Sequence, residues 1–184
     1  MSDTLVIFDC FGVIMNEVAP VFLRKFLPEE KAAVLKEELF VPADMGEVTY
    51  DELLSNMAKV LGMTKDEMMP QWEELFVLRE EIVPVIKKLR QKADIALLSN
   101  APLGVVEGIL DKYALWDLFD KTVISSNVKM AKPDTEIYKY CISLFDKQYD
   151  KIYMIDDNMV NLKHLPSMGI TPIHYKNVAD LDVI

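Results

Sequence analysis

The chain is poor in cysteine. Cys10 and Cys141 are its only two among 184 residues, too few for a disulfide framework and in keeping with two reduced thiols in a cytosolic protein. It has no apolar run near the ~18 residues that a membrane span requires. It also lacks the basic segment followed by an apolar stretch that marks an N-terminal leader. We therefore expect a cytoplasmic protein with no membrane partner. Basic charge is in deficit too, with 20 Lys+Arg against 30 Asp+Glu and a net charge of -10. Phosphate backbones repel such a chain, which argues against nucleic acid as a partner but leaves room for a local positive pocket. The two histidines, His164 and His174, belong to no ligand-like cluster and read as surface or edge residues. We find no internal repeat and no low-complexity segment.

What is present is enough apolar material for a core: 51% of residues are hydrophobic, enough for one domain or one domain with a small insertion. The pattern begins with a strand at Thr4–Asp9. Some seventy helical residues follow. A helix opens at Pro28-Glu29-Glu30 and runs towards Leu39. Thr49 with Glu52, and Thr64 with Glu67, are spaced as capping boxes ahead of apolar stripes. Phe22, Phe26, Trp72 and Phe76 read as the core of this helical block rather than as a ligand box. From residue 82 the pattern becomes strand–helix alternation. Helices are expected over Ile82–Lys92, Leu103–Tyr113, Thr135–Phe145 and Met159–Met168, with a stop at Gly169. Strands are expected over Asp94–Ser99, Lys121–Ser125, Ile152–Ile155 and Ile170–His174. Such alternation implies a parallel sheet.

Four segments carry chemistry. The run Leu5–Phe8 ends on a carboxylate, Asp9, with a glycine three residues later. Ala96-Leu97-Leu98 ends on Ser99-Asn100; Met130-Ala131 precedes Lys132-Pro133; and Ile152–Ile155 ends on Asp156-Asp157-Asn158. Ligands of open α/β sheets sit beyond the carboxyl ends of the strands, so each segment delivers polar groups to one edge. Each has a bland counterpart when taken alone. Asp9 is then a turn aspartate, Asp156-Asp157 the start of a helix where acids are favoured, Ser99 an N-cap and Lys132 a surface lysine.

Taken together and in this order, the four segments resemble the haloacid dehalogenase (HAD) superfamily of hydrolases, over essentially the whole chain. The resemblance implies an α/β fold: a Rossmann-like parallel sheet core with helices on both faces and an inserted α-helical cap. It implies a core of residues 1–15 and 81–184, and a cap of residues 16–80. Asp9 matches the nucleophile, Ser99 the second-motif hydroxyl, Lys132 the third-motif lysine and Asp156-Asp157 the fourth-motif acids. One position departs from the family pattern. Its phosphatases usually carry a second Asp two residues after the nucleophile, where Phe11 stands here.

The implied activity is a Mg²⁺-dependent phosphatase of small phosphorylated metabolites. Asp9 would attack phosphorus to form an aspartyl-phosphate. Mg²⁺ would take Asp9, Asp157 and the backbone carbonyl of Phe11 as direct ligands, with Asp156 acting through water or as an orienting group. Ser99 and the backbone N–H groups of Asn100 and Ala101 would hold phosphate oxygens, helped by the N-terminus of the following helix. Lys132 would neutralise the transferring group and bridge Asp9 and Asp156, with Pro133 holding Lys132 extended and starting the next helix. Asn161 is placed to support the acids. Asn16, Glu17, Arg24, Asp44, Met45 and Glu47 are candidates for specificity. With Phe11 in place of an acid, an alkoxide leaving group takes its proton from water or from a cap residue such as Glu17. The alternatives are a 2-haloacid dehalogenase-like hydrolase, whose halide leaves without a proton, and a weakly active or non-catalytic phosphate- or protein-binding relative.

Overall fold

The computed structural model describes residues 3–184. In chain order its elements are β1 (Thr4–Phe8), α1 (Ala19–Leu23), α2 (Glu29–Asp44), α3 (Tyr50–Val60), α4 (Lys65–Glu73), α5 (Ile82–Leu89), β2 (Asp94–Ser99), α6 (Val105–Lys112), β3 (Lys121–Ile124), α7 (Ser125–Val128), α8 (Thr135–Ser143), β4 (Lys151–Asp156), α9 (Met159–Leu162) and β5 (Ile170–His174). The five strands form one sheet in the order β3-β2-β1-β4-β5, and every pairing is parallel. No helix among the described residues is long and apolar enough to cross a membrane.

Alternation along the strands builds two cores, because successive side chains point to opposite faces. Val6, Phe8, Ile95, Leu97 and Ile155 pack with Ile82, Ile86 and Leu89 of α5 and Val106, Ile109 and Leu110 of α6. Leu5, Ile7, Ala96, Leu98 and Met154 pack on the other face with Ile137, Tyr138 and Cys141 of α8. A sheet covered on both faces explains why β1 reads as a continuous apolar run. The register sets the site. Phe8 pairs with Leu97 on one side and Ile155 on the other, so Asp9, Ser99 and Asp156 emerge at the same edge.

The helices α1–α4 between β1 and β2 have an apolar cluster of their own, built from Phe22, Leu35, Phe40, Leu53, Met57, Met68 and Trp72. Trp72 is its centre: its ring stands edge-on to Phe22 at 5.2 Å, and its Nε1 donates to the Tyr50 hydroxyl at 2.6 Å. Both capping boxes form as the spacing predicts. The chain enters and leaves this block on adjacent paths. Asn16 N–H donates to Val77 O at 2.9 Å and Arg79 N–H to Ile14 O at 2.8 Å.

Several expectations are corrected. The helix expected over Met159–Met168 stops at Leu162 and resumes as a 3-10 turn over Leu165–Met168. Pro166 lacks the N–H that would bond back to Leu162, and its ring crowds that carbonyl. The helix opening at Glu29 runs past Leu39 to Asp44, despite Pro42, because Phe40 and Ala43 continue its buried stripe. The next-to-last expected helix does not start at Pro133. The Lys132–Pro133 peptide is cis, and α8 starts at Thr135 with Asp134 as N-cap. The short helices α1 and α7 had no sequence signal long enough to read.

Two substitutions test this account. Leu97→Ala empties space in a fully buried strand position and should cost about 2–5 kcal/mol in urea unfolding. Gly108→Ala, inside α6 where an added Cβ meets nothing within 4 Å, should instead stabilise by roughly 0.4–1 kcal/mol.

Candidate active site

The site is organised by a buried ammonium. Lys132 is 4% exposed. Its Nζ lies 2.9 Å from Asp9 Oδ1 and 2.6 Å from Asp156 Oδ2. Burial works against its charge, but the two carboxylates outweigh burial and push the ammonium above its usual range. The Lys132 backbone is fixed just as firmly. Its N–H donates to Asn100 Oδ1 at 2.9 Å, and its carbonyl accepts from Asn100 Nδ2 at 2.8 Å. One amide side chain at the end of β2 thus holds the lysine loop against the sheet.

Asp156 is fully committed. Its Oδ1 accepts from Asn158 N–H at 2.8 Å and Asn161 Nδ2 at 3.1 Å, while its Oδ2 takes Lys132 and Asn161 Nδ2 at 3.0 Å. Asp9 differs. Its Oδ1 accepts from Cys10 N–H at 2.7 Å and Lys132, and its Oδ2 receives no hydrogen bond from a described residue. The Asp157 carboxylate likewise has no donor from another described side chain. Ser99 Oγ is buried with no hydrogen-bond partner among the described residues. Hydroxyls are rarely left this way in a core, and a ligand oxygen is a natural partner for one placed at a strand end.

Charge in the cluster is unbalanced. One carboxylate oxygen from each of Asp9, Asp156 and Asp157 lies within 4.8 Å of the other two, against the single ammonium of Lys132. Burial, followed by Asp156, pushes the Asp9 carboxyl up despite the pull of Lys132. Burial, Glu17 and Asp156 push Asp157 up to about 6. The donors suit a hard cation: Asp9 and Asp157 retain free oxygens, and the Phe11 carbonyl accepts no hydrogen bond from the described residues. Gly12 makes this packing possible. It sits at φ +81°, and a Cβ there would collide with the Asp157 carboxyl. Cys10 beside the nucleophile position is a buried thiol pushed up by burial and by Asp9, and so unreactive.

The cluster opens into a cavity of about 390 Å³. The sheet side contributes Asp9, Asn100, Lys132 and Asp157; the helical block contributes Phe40, Asp44, Tyr50, Trp72 and Phe76. Phe11 lines the cavity as well and stands edge-on to Phe76 at 6.1 Å. It belongs to the linings of both apolar clusters.

Lys132 joins Asp9 and Asp156, Asp157 lies with the two acids, and Asn100 and Asn161 bond to Lys132 and Asp156; Ser99 is buried at the end of β2 and is not among the residues lining the cavity. Other expectations are corrected. Ala101 N–H does not face the cavity as a free donor, since it donates to Ser125 Oγ at 3.0 Å. The next helix starts at Val105 behind Gly104, so Asn100 and Ala101 precede it and their N–H groups are not those of its first turn. Of the specificity candidates, Glu17 and Asp44 line the cavity, whereas Asn16, Arg24, Met45 and Glu47 do not. Asn16 faces Arg79 at 3.3 Å, and Arg24 pairs with Glu29 at 3.1 Å. Trp72 and Phe76 are both core and cavity wall. His174 Nε2 lies 2.9 Å from the Asp157 carbonyl oxygen and steadies that loop. Sequence reasoning missed Lys36, Phe40 and Tyr50 as cavity residues. It also missed Lys129, which donates to Gly46 O at 2.7 Å; no local signal marks a lysine for a carbonyl 83 residues away.

Comparisons with known proteins bear on the family and the fold. The family model for haloacid dehalogenase-like hydrolases matches residues 4–169. A HAD family enzyme from Bacteroides thetaiotaomicron, solved in complex with magnesium and inorganic phosphate, superposes with a TM-score of 0.74 at 22% identity, covering 98% of this chain and 99% of that one. An uncharacterized protein of Haemophilus influenzae is 22% identical over 161 residues, 82% of this chain and 80% of that one. Drimenol cyclase of Aspergillus calidoustus is 26% identical over 181 residues. That match takes 91% of this chain but 33% of the cyclase, so the chain spans a third of that relative's length.

Gly12 provides the test of the packing. Gly62 shares its positive φ, at +73°, but has open space where a Cβ would stand. Gly62→Ala should cost only backbone strain, about 1 kcal/mol or ~2–4 °C in melting temperature. Gly12→Ala should lose clearly more, because the Asp157 carboxyl must move as well. Equal melting temperatures for the two variants would refute the close approach.

Proposed function

This chain belongs to the haloacid dehalogenase-like hydrolases, and on that premise we propose that it is a Mg²⁺-dependent phosphatase of small phosphorylated metabolites, acting through an aspartyl-phosphate on Asp9. The observation that carries the reading is the Lys132 ammonium held between Asp9 and Asp156 and open to a cavity, with the unpartnered hydroxyl of Ser99 at the end of β2. That arrangement suits a tetrahedral anion. The related Bacteroides enzyme was crystallised with magnesium and inorganic phosphate, which supports the same pairing of ligands here. We take residues 1–15 and 81–184 as the core and 16–80 as a cap. The chain passes between them on two paths joined by the Asn16–Val77 and Arg79–Ile14 hydrogen bonds.

Asp9, Asp157 and the Phe11 carbonyl would hold Mg²⁺, whose charge would offset the repulsion between the Asp9 carboxylate and a phosphate dianion. Ser99 Oγ donates to a phosphate oxygen. The Lys132 ammonium faces the developing charge, and Asn100 and Asp156 keep it there. Asp9 Oδ2, free of donors, is the attacking oxygen, while Oδ1 stays anchored to Cys10 N–H and Lys132. The cavity admits a small organic group, and its aromatic wall favours one with an apolar face. A metal-free dehalogenase has no use for three clustered carboxylates, so this observation favours phosphorus over carbon as the centre attacked.

Hydrolysis of p-nitrophenyl phosphate should require Mg²⁺, stop in EDTA and be abolished by Asp9→Asn. Undiminished turnover in Asp9→Asn would sink the mechanism. In a calorimetric titration, Asp157→Asn should remove Mg²⁺ binding, whereas Asp156→Asn should weaken it by about 10–100-fold. Without metal, the two variants should also diverge in stability. Asp156→Asn weakens the support of a buried ammonium and lowers the melting temperature, while Asp157→Asn relieves like-charge repulsion and raises it.

A further inference from the structure

Breaking a phosphate ester puts negative charge on the leaving oxygen, and an alkoxide needs a proton as the bond breaks. Asp9 and Asp157 are occupied in the reading above. Phe11 carries no proton and packs on Phe76. Of the remaining acids lining the cavity, Glu17 pairs with Arg24 at 4.0 Å and Glu37 is exposed to solvent. Tyr50 is made a weaker acid by burial, and its oxygen already accepts from Trp72. Asp44 is different. It is the last residue of α2, is half-buried, lines the same cavity as Asp9 and Lys132, and accepts no hydrogen bond or ion pair from any described residue.

The chain fixes Asp44 relative to the sheet. The turn that closes α2 has Gly46 at φ +65°, and a Cβ there would come within 2.8 Å of Ser126 O. The backbone of that turn therefore rests directly on α7. Lys129, just beyond α7, reaches across to donate to Gly46 O at 2.7 Å. A cation at a helix C-terminus is favourably placed in any case. The latch joins the helical block to the strand ends one turn from Asp44.

We propose that Asp44 is the proton donor to the leaving oxygen of the phosphatase reaction, and then the base for its hydrolytic water, held over the site by the Lys129–Gly46 latch; this inference rests on the function proposed above. In the first half-reaction Asp9 Oδ2 bonds to phosphorus, the ester P–O bond breaks, its electron pair goes to the leaving oxygen, and the Asp44 proton follows to release an alcohol. In the second, water attacks phosphorus, Asp44 takes its proton, and the Asp9–phosphorus bond breaks. Carboxylate and acid are both restored and inorganic phosphate leaves.

The electrostatics suit both roles. Burial pushes Asp44 up to about 7, against the pull of Lys36 and Lys132. Lys36 of its own helix and Lys132 are the cations that act on it, and Glu17, Glu37 and Asp157 share its cavity. α1 carries no charged side chain, Asp51 and Glu52 of α3 are engaged by Lys65 and Thr49, and Lys129 is tied to Gly46. An acid–base group poised near neutrality serves donation and abstraction alike.

The test is a series of phosphate monoesters running from activated aryl to alkyl leaving groups, hydrolysed at saturating Mg²⁺ by wild type, Asp44→Asn and Asp44→Glu. Wild type should show a shallow dependence on leaving-group pKa. Asp44→Asn should lose about 10²–10⁴-fold on alkyl esters and at most a few-fold on p-nitrophenyl phosphate, and its alkyl rates should lose the alkaline limb near pH 7. Asp44→Glu should recover part of the alkyl rate. Lys129→Ala should steepen the dependence in the same direction, with Lys129→Arg restoring it. A second readout is independent of turnover. A carboxyl raised in the folded state supports stability below its unfolded value and loses that support as pH rises through its folded value. The melting temperature of Asp44→Asn should therefore gain on wild type between pH 5 and pH 8. Equal losses on aryl and alkyl esters, or no loss on either, would overturn the role of Asp44 and leave the phosphatase standing. Failure of wild type to hydrolyse any ester in an Asp9-dependent way would overturn both.

Discussion

The burial of Lys132 between Asp9 and Asp156 is the constraint on which the rest of this structure depends. An ammonium withdrawn from water is tolerable only with partners in good geometry, and losing one partner of a buried pair is far more damaging than losing a surface pair. Here the partners come from different strands, β1 and β4, and the lysine from the loop after α7. Their meeting requires the parallel register that brings Phe8 alongside both Leu97 and Ile155. The same requirement explains Asn100, whose amide grips the Lys132 peptide from both sides, and Asn161, which completes the hydrogen bonding of Asp156. The sheet and the ion cluster specify each other.

Neutrality of the cluster is a separate matter from its geometry. One ammonium does not balance three carboxylates, and the surplus falls on Asp157, the acid least supported by donors and nearest to Glu17. The imbalance is tolerable because it is local and opens onto a cavity rather than a sealed core. A site of this kind stores an affinity for positive charge without a preformed cage. Gly12 belongs to the same arrangement, since the absence of a side chain there lets the loop after Asp9 lie flat against Asp157.

The cavity joins two parts of the chain with different internal logic. The sheet side contributes charges fixed by strand ends. The helical block contributes Trp72, Phe40 and Phe76, which are wall and core at once, because a block this small has few side chains that serve only one purpose. Phe11 sits at the junction and packs with both clusters. The Lys129–Gly46 hydrogen bond closes the junction on its far side.

Much of this was legible in the sequence. Strand–helix alternation after residue 82, the apolar run ending on Asp9, the Ser-Asn and Asp-Asp pairs at strand ends and both capping boxes are local patterns, and local patterns follow from propensity and periodicity alone. The sequence by itself therefore determined the strands, the longer helices and which side chains reach the carboxyl edge of the sheet. It could not determine what those side chains touch. That the Asn100 side chain would grip the Lys132 peptide, that Ala101 N–H would be claimed by Ser125, that Glu17 and Asp44 rather than Arg24 or Met45 would line the cavity, and that Lys129 would reach Gly46 were decided by the tertiary structure. The break of the last helix before Pro166 lies between the two, since proline announces it but packing chooses how the chain continues. The physical reason is range. Hydrophobic period and helix capping act over a few residues, whereas ion pairing, cavity walls and cross-block hydrogen bonds act over a few ångströms between residues far apart in the chain, and only the folded chain sets those distances.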